Sequence, residues 1–113
     1  MIYLKDIIEP LNCNVLCGQE LLETQEVTGG YACDLLSWVI SRVNTGEVWM
    51  TILSSVNVVA VAVLAECSCI LLTESVTMEE NVLARAREKG IAVLSTPLST
   101  YRACAILADL TDK

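Results

Sequence analysis

From residue 47 onward the chain alternates extended and helical signals three times, and that alternation restricts its fold more than any other feature. Residues 47–53 set Val48, Met50 and Ile52 against Trp49 and Thr51 at period two, the spacing of a strand. Asn57 offers a cap for a buried helix over residues 58–66, and a short buried strand follows at 70–73. Thr77 and Glu80 have the spacing of a capping box and Gly90 that of a C-terminal stop. Together they predict a helix over 78–89 with Met78, Val82, Leu83 and Ala86 on its apolar side. A strand at 91–95, a break at Pro97 and a cap at Ser99 lead into a last helix, whose Ala103, Ile106, Leu107 and Leu110 face inward. Strands joined through helices return in the same direction. The expected fold class is therefore α/β, a three-layer domain with a mainly parallel sheet flanked by helices.

The first half is less regular. Leu4, Ile7, Ile8 and Leu11 recur at helical spacing, which predicts a short helix over residues 3–10 stopped near Pro10. Residues 14–17 read as a strand, 18–25 as a loop and 26–28 as a further extended piece. Gly29 and Gly30 punctuate the chain. After them Leu35, Leu36, Val39, Ile40 and Val43 mark a helix over 32–43, with 44–46 as its stop. A length of 113 residues holds one core, so residues 1–113 are expected to form a single domain. That core must be built from Val, Leu, Ile and Ala, because the chain has no Phe, two Trp and three Tyr.

A net charge of −7 with only seven scattered basic residues argues against nucleic acid and against anionic membrane surfaces as partners. Residues 52–72 carry a single charge and are long enough to raise the question of a membrane span. Glu66, Asn57 and the serines at 54, 55 and 68 interrupt that stretch, and no Lys or Arg cluster flanks it, so a buried helix followed by a buried strand is expected instead. Residues 1–10 include Lys5, Asp6 and Glu9 and lack the pattern of a signal peptide, which predicts a cytoplasmic protein.

The six cysteines are accordingly expected to be reduced thiols, mostly buried, with no disulfides. None forms a C-x-x-C pair. With no His in the chain, zinc would need an all-Cys or carboxylate site and an iron-sulfur cluster four converging thiolates, so no metal site and no cofactor is expected, with a redox or cluster role of the thiols as the alternative. General acid and base work would fall to carboxylates, Lys, Tyr or Cys, and no paired arrangement of them stands out, which predicts a protein that binds rather than an enzyme.

Three segments carry a family resemblance: VTGGYACDLLSWV at 27–39, WMTILSSVNVVAVAVLAECSCILLTE from Trp49 and KGIAVLSTPLSTYRA from Lys89. Over about residues 3–110 the chain resembles the DRTGG domain family, which is related to the N-terminal domain of the HPr kinase/phosphorylase. The resemblance implies an HPr kinase N-terminal-domain-like fold and a regulatory or interaction role. It does not import kinase activity, since no G-x-x-x-x-G-K-[ST] sequence occurs. At the Asp and Arg of the naming motif this chain has Glu26 and Val27, while Thr28, Gly29 and Gly30 are retained. A role resting on that arginine is not carried over.

Two kinds of function fit these residues. The first is a regulatory or protein-interaction module, expected to be a homodimer because apolar residues make up 54% of so small a chain. Trp38 and Trp49, if exposed, would suit an interface. The second is a sensor of a nucleotide or another anion. Thr28, Gly29 and Gly30, with Asp34 after them, would stand at a helix N-terminus. Thr51 and Asn57 would open a second helix, and Ser95 and Thr96 a third, so that all gather on one ligand-binding edge of a parallel sheet. The same residue types also serve as ordinary caps and turns.

Overall fold

Strands β4 (Gly29–Ala32), β5 (Glu47–Thr51), β6 (Cys69–Leu72) and β7 (Ala92–Ser95) are parallel and lie side by side in chain order. A further strand, β2 (Asn14–Cys17), joins antiparallel beside β7 and completes a five-stranded sheet of order β2-β7-β6-β5-β4. The structure, a computed structural model, describes residues 1–112. The connections are α2 (Leu36–Arg42), α3 (Val56–Leu64) and α4 (Glu80–Lys89), and α5 (Thr100–Thr111) follows the last strand. Near the N-terminus β1 (Ile2–Tyr3) leads into α1 (Leu4–Ile8) and pairs with β3 (Glu26–Val27) as a separate two-stranded ribbon.

Adjacent parallel strands joined in sequence order put successive crossover helices on the same face of a sheet. Side chains alternate accordingly along each strand. Trp49, Ile70, Leu72 and Val93 point to the face covered by α2, α3 and α4, where Val39, Val58, Val59, Ala62, Val82 and Ala86 meet them. Val48, Met50, Cys69, Leu71, Ala92 and Leu94 point the other way, against Leu4 and Ile7 of α1 and Ala103 and Leu107 of α5. The strands are thus buried on both sides, which is why they read as near-continuous apolar runs. Trp49 is fully buried, and its indole N–H donates to the Cys33 carbonyl at 2.9 Å, so its one polar atom is not left without a partner.

Several expectations are corrected. Gly29 and Gly30 do not precede a helix directly; they open β4, and α2 begins only at Leu36. The physical reason is packing. A Cβ on Gly30 would stand 2.6 Å from Cδ2 of Leu107 and 3.0 Å from Cε of Met50, so the glycine lets α5 approach the sheet. Asn57 is not the cap of α3, which is Ser55, and lies in its first turn. The Thr77–Glu80 capping box does not form: α4 starts later, with Glu79 as its cap and no side-chain hydrogen bond to it. Residues 18–25 include a short 3-10 turn at Gln19–Leu21. Gly90 does end α4 in a left-handed conformation, and Ser99 does cap α5, accepting from the Arg102 N–H at 3.2 Å. Among the described residues, no helix is long and apolar enough to cross a membrane.

Candidate functional site

The eight residues expected to share one ligand rim fall at two ends of the sheet. Glu47 begins β5 and Thr51 ends it, roughly 13 Å apart at the rise of a strand. Gly29 pairs with Glu47, which puts Thr28, Gly29 and Gly30 toward the amino end. Asp34, Thr51, Asn57, Ser95 and Thr96 lie at or beyond the carboxyl ends of the parallel strands.

At the carboxyl end the polar groups are largely occupied by one another. The Thr51 hydroxyl donates to Oδ1 of Asp34 at 2.7 Å and accepts from the Leu53 N–H at 3.1 Å, while the Ile52 N–H donates to the same Asp34 oxygen at 3.2 Å. Open α/β sheets hold ligands where neighbouring strands send their connections to opposite faces. Here that place lies between β6, which leads to α4, and β7, which leads to α5. It is stitched shut. The Thr96 N–H donates to the Leu72 carbonyl, the Ser75 N–H to the Thr96 carbonyl and the Glu74 N–H to the Leu98 carbonyl, each at 2.9 Å. The Thr96 hydroxyl donates to the Leu11 carbonyl at 2.6 Å, and the Thr73 and Thr100 hydroxyls share a hydrogen at 2.6 Å. Glu74 and Ser75 both adopt left-handed backbone conformations to make this closure. Among the described residues, no buried side-chain nitrogen or oxygen is left unpaired.

At the amino end Thr28, Gly29 and Gly30 border a cleft of about 360 Å³ between β4 and the end of α5, with Met50 beside them and Thr111 and Asp112 opposite. The Thr28 hydroxyl donates to the Thr45 carbonyl at 3.0 Å. A helix C-terminus and the Asp112 carboxylate bring negative charge to this cleft, the reverse of what an anion needs.

Sequence reasoning missed a third place. Between α3 and α4 runs a groove of about 250 Å³ lined by Val56, Val59, Ala60, Val63 and Leu64, with Arg85 and Lys89 on the opposing wall. Leu64 is 74% exposed, and Val56 and Val63 are exposed beside it. The signal was present: residues 56–64 hold one polar side chain, Asn57, so a helix there must be buried all round or present an apolar outer side. Trp38, half-exposed on α2, stacks under the Arg42 guanidinium at 3.8 Å, whereas Trp49 is core.

The six cysteines are free thiols. Burial pushes Cys13 up to about 12 and Cys67 up to about 11, so both stay protonated at neutral pH and make poor nucleophiles or metal ligands. Among the described residues, no group of three Cys, Asp or Glu side chains converges as a metal site would require.

The DRTGG domain model matches residues 6–110, nearly the whole chain. The chain belongs to the DRTGG domain family. Among curated proteins none matches this DRTGG domain. Among solved structures it is similar to the CBS and DRTGG domains of the regulatory region of Clostridium perfringens pyrophosphatase, crystallised with the activator diadenosine tetraphosphate. The TM-score is 0.67 at 14% identity, covering 93% of this chain and 45% of that one. The likeness establishes the shared fold. Where the family's naming motif carries arginine, this DRTGG domain has Val27, 4% exposed within the cluster beneath α1, a place a guanidinium would not occupy without a partner.

Proposed function

We propose that this DRTGG domain is a non-catalytic regulatory module that acts by binding another protein, and that it does so as a homodimer. The observation that carries the reading is the outer side of α3, which leaves Val56, Val63 and Leu64 in water although the helix is already packed against the sheet on its other side. Exposed apolar patches of this kind mark interaction surfaces. The groove's chemistry defines the partner. Apolar walls require apolar anchors, and the cations of Arg85 and Lys89 require carboxylates, so the fitting segment is acidic and apolar together. Capture from native lysate by the tagged wild type, Leu64→Asp and the pair Arg85→Glu with Lys89→Glu tests this, with crosslinking from Lys89 to identify the bound segment. The wild type is expected to retain a protein through an acidic apolar segment and both variants to lose it. Equal capture by all three, or a crosslinked segment without acidic residues, refutes the reading.

A second reading draws support from the activator bound to the pyrophosphatase regulatory region. It makes this chain a sensor of a nucleotide or another anion, with Asp34, Thr51, Asn57, Ser95 and Thr96 at one edge of the sheet or Thr28, Gly29 and Gly30 at the other. The start of α3 favours it, because Ser55 leaves the first N–H groups without a side-chain cap. The carboxylates of Asp34 and Asp112 work against it. A thermal-shift screen against nucleotides and phosphorylated metabolites decides the matter, since a ligand at 100 times its Kd adds about 2.7 kcal/mol. A flat response across the panel removes the sensor.

A further inference from the structure

Helix α5 carries another exposed surface, and its residues are arranged as their own complement. Next to Pro10, the helix presents Tyr101, Arg102, Ala105, Ile106, Asp109 and Leu110 around an open cleft of about 510 Å³. Tyr101 is 81% exposed. Arg102 and Asp109 are exposed and seven positions apart, about 10 Å along the helix axis, and they do not pair with each other. No ion pair joins either to another described residue.

Turning the helix end for end about a point between Ala105 and Ile106 exchanges the members of this set. Tyr101 takes the place of Leu110, Arg102 that of Asp109, and Ala105 that of Ile106. A twofold axis performs that operation, because an isologous contact sets one patch against itself. Two α5 helices laid antiparallel bring Arg102 of each copy to Asp109 of the other, with Tyr101 and Leu110 on the two flanks of the contact. The small Ala105 at the crossing lets the two backbones come close. A parallel pairing would instead oppose Arg102 to Arg102. The charges of this surface balance, which suits a second copy of a chain whose net charge of −7 otherwise repels its like.

We infer that the homodimer forms through antiparallel α5 helices, held by two symmetry-related Arg102–Asp109 ion pairs about an Ala105–Ile106 crossing. The contact presupposes the homodimer proposed above and leaves the α3–α4 groove free for the partner. Sedimentation velocity of the full chain over a concentration series tests it. Wild type is expected to sediment as a dimer. Arg102→Asp and Asp109→Arg each turn two attractive contacts into two repulsive ones, and each is expected to weaken the dimer roughly tenfold or more. An equimolar mixture of the two single variants restores opposite charges at both contacts and is expected to dimerise, as is the chain with both substitutions. Dimerisation of the mixture also shows that both variants are folded. A wild type that is monomeric at every concentration, single variants as tightly dimeric as wild type, or a mixture that stays monomeric overturns the assignment. Leu64→Asp is expected to remain dimeric while losing its partner, so the two surfaces fail separately.

Discussion

Helices α3 and α4 lie side by side on one face of the sheet and differ by one residue in length, yet they treat their outer sides in opposite ways. Helix α4 turns Glu80, Asn81, Arg85 and Glu88 to water, and Arg87 reaches back to Glu80 at 2.7 Å. Helix α3 turns out Val56, Ala60, Val63 and Leu64. Both bury an inner apolar side of similar make-up against the same face of the sheet, α3 over β6 and α4 over β2 and β7. What α4 shows is that covering this sheet does not require an apolar exterior, so the exterior of α3 is a feature beyond the needs of folding.

Substitutions can break that contrast. Val58 on the inner side of α3 is fully buried, and Val58→Asp is expected to cost on the order of 3 kcal/mol or more and to leave little folded protein, measured by circular dichroism and urea unfolding. At the sheet's other face, Gly30→Val forces Leu107 and Met50 apart and is expected to cost about 1–3 kcal/mol in the same assay. On the outer side of α3, Leu64→Asp is expected to shift stability by no more than about 0.5 kcal/mol while abolishing partner capture, and a large loss of stability would place Leu64 in the core's service instead.

The smallest effect belongs to α4. Arg87 hydrogen-bonds Glu80 and holds its carboxyl below the usual carboxylate range. A depressed folded value contributes stability that is present above the unfolded value and is lost as pH falls through the folded one. Arg87→Ala is therefore expected to lower Tm slightly at neutral pH, and the gap from wild type should close on acidification and shrink in high salt, since both groups are exposed.

Much of the architecture was legible in the sequence. The second half alternates strand and helix with little irregularity, and each strand is long enough in Val, Leu and Ile to announce burial on two faces. The misreadings concentrate where local chemistry was ambiguous. Gly29 and Gly30 look like a turn because glycine usually marks one, but Gly30 serves the approach of Leu107, from a helix more than seventy positions away, and no local pattern encodes that contact. Thr77 with Glu80 has the spacing of a cap, yet the helix starts two residues later, with Glu79 as its cap. The grouping of the candidate site failed for the same reason as the glycines. Once the pair moves from a helix start into β4, Thr28, Gly29 and Gly30 go to the opposite edge from Thr51 and Thr96. The surface on α3 was written in its composition, and what hid it was the habit of equating an apolar helix with a buried one.

The position of α5 bears on how the chain assembles. The helix leaves β7 but rests chiefly on the other half of the sheet, where Leu107 sits over Gly30 of β4 and beside Met50 of β5. A chain growing from its N-terminus can add β4, β5, β6 and β7 one after another, each beside the last, with α2, α3 and α4 following. The opposite face of β4 and β5 stays bare until α5 has been made. That face of the sheet is shared by α1, which precedes the strands, and α5, which follows them, and α5 is the clasp that joins the end of the sheet's construction to its beginning.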